Sequence, residues 1–181
     1  ELQHAGDWDG LAEALQAAAR LVEAAGADLL LICTNTMHKV AAEVAAAIGI
    51  PLLHIADATA DVIEAAGYST VGLLGTRFTM EEDFYRGRLE ARGIRVLTPG
   101  AEERNVVHRV IYDELCQGNI SDESRQRFVA IIDGLGAAGA EAVIEGCTEI
   151  GMLVGPEHTS IPLLDTTVIH AHAAVAMALE A

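Results

Sequence analysis

Two cysteines in this chain stand in matching surroundings. Cys33 closes the apolar run "LLLIC" and is followed by Thr34, Asn35 and Thr36; Cys147 closes "AVIEGC" and is followed by Thr148 and Glu149. Each run reads as a buried parallel strand, so each thiol is expected at a strand's carboxyl end, where the N–H groups of the next helix point. That setting favours the thiolate and should draw the thiol down from its ordinary value of about 8.5. A thiolate can accept a proton and a thiol can return one. Two thiols approaching one carbon from opposite sides can therefore invert a stereocentre, one removing a proton and the other delivering one to the other face.

An α C–H is a far weaker acid than a thiol, so such a site must also stabilise a carbanion or enediolate with aimed donors. Candidates are Thr34, Asn35 and Thr36 after the first cysteine, Thr148 after the second, and Thr76 in "LLGTRFTMEED". Thr79 and Glu82 have capping-box spacing, which would present the N–H groups of 75–79, and Arg77 could add a positive charge. Glu149 suits a partner for the Cys147 proton, although an acid there is also an ordinary first-turn helix residue. A lone cysteine after a buried strand is usually a small core hydrophobe; the duplicated setting argues for chemistry. Cys116, in "VIYDELCQG", has no counterpart and reads as packing.

The elements that must hold these residues alternate strand-length apolar runs with alanine-rich helical stretches, the pattern of parallel α/β sheets. Helices are expected over 10–25, 36–47, 57–66, 79–92, 102–117, 122–138 and 166–180, with a short one over 148–154. Strands are expected over 28–33, 51–56, 70–75, 94–98, 141–146 and 161–164. "AAGADLLLICTN" (24–35) parallels "AAGAEAVIEGCTE" (137–149), and "IPLLHIADAT" parallels "IPLLDTT", so the chain carries an internal repeat. The repeat predicts two related lobes, 1–56 with 166–181 and 57–165. By the same symmetry, roughly 45 residues forming a strand, a helix and another strand are expected upstream of Glu1.

Composition narrows the partners. The net charge is −16 and Lys39 is the only lysine among 181 residues, which opposes nucleic-acid binding. No apolar run is long enough to span a bilayer and no signal-peptide pattern opens the chain, so no membrane role is expected. Three separated cysteines suit free thiols in a reducing cytoplasm. His38, His54, His170 and His172 lack compact metal-ligand spacing, so no metal is expected and His38 and His54 read as hydrogen-bonding core residues. A pyridoxal enzyme needs a Schiff-base lysine; Lys39 has no phosphate-binding glycine loop beside it.

"CTNTMHK", "LLGTRFTMEEDFYRGRL" and "GCTEIG", in this order and spacing, resemble the aspartate/glutamate racemase family of cofactor-independent amino-acid racemases, in particular the bacterial L-aspartate/glutamate-specific, broad-range branch. The resemblance spans essentially the whole chain. It implies two pseudo-symmetric α/β lobes with a cleft between them, no cofactor, a small amino-acid substrate and a homodimer. It assigns Cys33 and Cys147 as the acid/base pair, with Asn35, Thr36, Thr76 and Thr148 holding the substrate's amino and carboxylate groups. Glutamate racemases commonly have histidine where Glu149 stands, so the aspartate-type branch fits better. Basic residues that recognise a distal carboxylate are implied upstream and near "ELCQG", where this chain has Gln117. Hydantoin, maleate or malonate chemistry within the wider superfamily, a non-catalytic amino-acid-binding module and a thiol redox sensor are the alternatives.

Overall fold

A computed structural model describes residues 2–180. After a one-turn helix α1 (Leu2–Ala5), Asp7 caps α2 (Trp8–Ala24), its carboxylate accepting from the Gly10 N–H at 2.9 Å. The repeat α/β pattern follows: β1 (Leu30–Leu31), α3 (Ala41–Ala45), β2 (Leu52–Leu53), α4 (Ile55–Ala65), β3 (Thr70–Gly75), α5 (Arg77–Glu81) and α6 (Asp83–Ala91). The chain continues through β4 (Arg95–Leu97), α7 (Ala101–Asp113), α8 (Asp122–Ala137), β5 (Ala142–Gly146), α9 (Ile150–Leu153), β6 (Leu163–Asp165) and α10 (Thr166–Glu180). Two parallel sheets result among the described residues: β1 pairs with β2, and the second sheet has the order β4-β3-β5-β6.

The four-stranded sheet is covered on both faces, as parallel sheets require. Successive residues on a strand point to opposite sides. Leu74 and Val143 therefore join Val107, Ile111, Phe128 and Ile132 from α7 and α8, while Leu73, Ala142 and Ile144 pack with Ile55, Ile63 and Leu89 from α4 and α6. A separate, smaller core beside the two-stranded sheet gathers Ala12, Ala19, Leu30, Val40 and Val44. Ala12 and Ala19 are the buried residues of α2, and their small side chains let that face of the helix enter this core.

Several expected elements are shorter or divided. The strands expected over 28–33 and 51–56 pair over two residues each. The helix expected over 36–47 begins as a 3₁₀ turn, Thr36–Val40, before α3. The helix expected over 79–92 breaks at Glu82, whose extended ψ of 158° separates α5 from α6. The cap at its start is consequently Thr76 and not a Thr79–Glu82 box: the Thr76 hydroxyl accepts from the Thr79 N–H at 3.4 Å.

Strands β3 and β5 end together, Gly75 opposite Gly146. A Cβ on Gly75 would lie 2.7 Å from the Gly146 carbonyl oxygen, and one on Gly146 would lie 2.7 Å from the Leu74 carbonyl oxygen. Backbone cannot yield as a flexible side chain can, so glycine at both positions sets the strand spacing immediately before Cys147. Gly146→Ala is expected to destabilise the fold by about 1–3 kcal/mol through overpacking. Chemical denaturation tests this; an unchanged midpoint would show that the strands part without cost.

Candidate active site

The carboxyl ends of β1, β3 and β5 converge on a cleft of about 250 Å³. All eight residues singled out from the sequence line it: Cys33, Thr34, Asn35 and Thr36 from the turn after β1, Thr76 from the end of β3, and Cys147, Thr148 and Glu149 from the turn after β5. Gln3, Ile111, Tyr112, Cys116 and Gly146 complete the lining. Cys33 is exposed, whereas Cys147 is 9% exposed.

The turns are joined across the cleft by buried hydrogen bonds. The Thr36 and Thr76 hydroxyls lie 2.9 Å apart, and Thr76 lies 3.2 Å from the Thr79 hydroxyl. Asn35 Nδ2 donates to Thr166 Oγ1 at 3.0 Å, and that hydroxyl donates to the Glu145 carbonyl at 2.8 Å. His38 holds the Cys33 turn from below. Its Nδ1–H donates to the Thr34 carbonyl at 2.8 Å, and its Nε2 accepts from the Ile55 N–H at 3.2 Å. Both bonds together require the neutral ring in one tautomer. His54 packs against it with ring centroids 4.4 Å apart, and His170 at 5.9 Å.

Cys147 departs from the expectation of a favoured thiolate. Burial, followed by the adjoining Glu149 carboxylate, pushes its thiol well above the ordinary range. The thiol donates to Glu149 Oε2 at 2.9 Å, and the Thr148 hydroxyl donates to the same oxygen at 2.8 Å. The expected helix dipole is weak here because α9 is a single turn and each helix terminus acts through its own aligned peptides. Cys147 therefore rests as a thiol with an acceptor already in place. Within the same strand, Glu145 is buried and raised to about 8 by desolvation and then by Asp165.

Three further expectations are corrected. Cys116 lines the cleft and is exposed, because α7 ends at Asp113 and the 3₁₀ turn Leu115–Gln117 brings Cys116 back toward Glu149. Arg77 contributes no charge to the lining; its guanidinium donates to Asn105 Oδ1 at 3.1 Å. His54 is the N-cap of α4, not a strand residue, its Nδ1 accepting from the Ala56 N–H at 3.2 Å. Gln3 and Tyr112, absent from the sequence reading, meet in a 2.8 Å hydrogen bond over the cleft. The apolar period of "RVIYDELC" marks core, and the turn that redirects its last residues carries no sequence signal beyond Gly118, whose φ of 78° ends it. Lys39 lies 2.6 Å from Glu82 and 4.0 Å from the centroid of the Trp8 ring, away from the cleft lining.

Comparison with known proteins bears on this arrangement. The profile described as Asp/Glu/hydantoin racemase matches residues 1–174. The chain belongs to this family. A crystal structure of a candidate Asp/Glu racemase from Yersinia pestis superposes with a TM-score of 0.92 at 52% identity, covering 98% of this chain and 78% of that one. An aspartate racemase homologue from Pyrococcus horikoshii OT3 gives 0.86 at 34% identity over the same shares. The broad specificity amino-acid racemase of Bacillus subtilis is 23% identical over 161 residues, 89% of this chain and 69% of its own length. The family resemblance drawn from the three motifs is thus correct, as is the two-sheet α/β fold. No described helix is long and apolar enough to cross a membrane.

Two measurable consequences follow from the racemase-family cleft. Glu149→Gln removes the carboxylate that raises Cys147, so this thiol should titrate lower; thiolate ultraviolet absorbance against pH reads the shift, and an unchanged curve would show that Glu149 has no hold on it. Burial lowers His38 to about 4 and His54 to about 2 from an ordinary value of 6.5. The unfolded chain therefore binds protons first, and their contribution is complete above 6.5 and declines as pH falls toward 4. Thermal melting should track that decline, and His54→Asn, which keeps a cap acceptor, should flatten it; equal slopes would contradict the assignment.

Proposed function

We propose that this chain racemises aspartate, glutamate or a similar small amino acid without a cofactor, using Cys33 and Cys147 as a two-base pair. The observation that carries this reading is the convergence of two thiols from separate strand ends on one cleft of amino-acid size, with threonine hydroxyls and the Asn35 side chain between them. In one direction the Cys33 thiolate takes the α proton while the Cys147 S–H gives its proton to the opposite face. In the other direction Cys147 must first become a thiolate, and Glu149 Oε2, already accepting its hydrogen, receives that proton.

Thr36 and Thr76 supply hydroxyl groups for the substrate carboxylate, on which negative charge grows as the α proton leaves, while Thr148, whose hydroxyl hydrogen goes to Glu149, offers its oxygen to the substrate's amino group. Thr34 and Asn35 complete the cradle on the Cys33 side. We take the two walls to be the lobes 1–56 with 166–181 and 57–165; the separate sheets and the small core beside β1 and β2 support the division over the first of these stretches, while Ile169 of α10 packs with Ile55 and Ile63 in the core of the four-stranded sheet. Free thiols suit a cytoplasmic enzyme, and a homodimer rests on the family resemblance.

Cys33→Ala and Cys147→Ala should each abolish racemisation of L- and D-aspartate followed by circular dichroism, a loss of about 10³-fold or more for a missing acid or base. Each should retain elimination from a substrate with a good β leaving group, which needs one base. Racemisation that survives either substitution would exclude the two-thiol mechanism.

A further inference from the structure

Thr166 is the first residue of α10, entirely buried, and stands between the two cysteine-bearing turns. Its single hydroxyl touches both. It donates to the carbonyl of Glu145, two residues before Cys147, and accepts from the side chain of Asn35, two residues after Cys33. The direction of these bonds is forced. A carbonyl can only accept, so the one hydroxyl hydrogen is committed to Glu145 and the oxygen facing Asn35 is left as an acceptor. Only the NH₂ end of the Asn35 amide can meet it.

The other end of that amide is fixed by the same logic. Asn35 is 3% exposed and lines the cleft, and its Oδ1 has no hydrogen-bond partner. A buried acceptor without a donor costs about 1–3 kcal/mol, which a ligand N–H would recover. We propose that Thr166 is a positioning residue which locks the Asn35 amide with its oxygen toward the ligand, so that the cleft selects substrates carrying an ammonium group on the reacting carbon. This rests on the racemase reading for the identity of the substrate, but the selectivity is a property of binding.

Aspartate and succinate share one dicarboxylate skeleton and differ by the ammonium group, so the pair isolates it. Without the Thr166 hydroxyl the amide can turn its NH₂ toward the ligand, which repels an ammonium and leaves a carboxylate unaffected. Thr166→Val keeps the shape and removes the hydroxyl. Calorimetric titration should show aspartate weakened about tenfold, the loss of one charge-assisted hydrogen bond, with succinate unchanged; the KM for aspartate should rise in step. Thr166→Ser should restore the wild-type ratio of aspartate to succinate affinity. Should the valine variant fail to fold, Thr166→Ala carries the same expectation.

An unchanged ratio in the valine or alanine variant, or equal weakening of both ligands, would overturn the proposal, the second because it marks a purely structural role. The two readings fail separately: wild-type protein that binds aspartate over succinate but racemises nothing contradicts the racemase reading alone, whereas active wild type whose ratio ignores Thr166 contradicts only this assignment.

Discussion

Proton transfer to and from carbon tolerates little misplacement of acid and base, so everything in this site depends on holding two loops from different sheets in fixed relation. Long loops would wander; here the turns after β1 and β5 are short and tied by buried hydrogen bonds. Asn35, Thr166 and the Glu145 carbonyl form one chain across the cleft, and Thr36, Thr76 and Thr79 form another. In a low-dielectric interior hydrogen-bonded chains of this kind are strong and directional, and Asn35 Oδ1 is left as their open acceptor. His38 adds a third tie beneath the Cys33 turn, which it can make only as the neutral ring.

The same burial that orders the loops decides their charge. Desolvation holds Cys147 protonated and keeps the histidine cluster neutral. A thiol so raised needs an adjacent acceptor if it is to serve as a base in the proposed mechanism, and Glu149 lies within hydrogen-bonding distance of both Cys147 and Thr148. The two cysteines differ in surroundings despite their matching sequence positions, since Cys33 is exposed and has Asn35 where Cys147 has Glu149. The repeat is thus a symmetry of fold and an asymmetry of environment.

That contrast explains what the sequence made legible. Strand ends, glycine turns and the duplicated Cys-Thr are local patterns, so the α/β class, the order of elements and eight of the thirteen residues lining the cleft could be read directly. Protonation is not local. The high value of Cys147 comes from desolvation by residues distant in sequence, and a motif that counted only the neighbouring helix terminus pointed the wrong way. Cys116, Tyr112 and Gln3 reach the cleft through the turn after α7 and through α1, contacts between positions as far apart as 3 and 112. In the sequence Thr166 is a repeat position and a helix start, whereas its two hydrogen bonds reach partners that stand 131 and 21 residues away.

In the proposed mechanism two different groups serve the two faces of one carbon. Racemisation of L-aspartate in deuterium oxide, stopped early and read by proton NMR at the α position of each enantiomer, tests it most directly. Two separate bases predict that the D-aspartate formed carries deuterium while the remaining L-aspartate keeps its proton. Equal early deuterium in both enantiomers would mean that one group serves both faces, and would contradict the account.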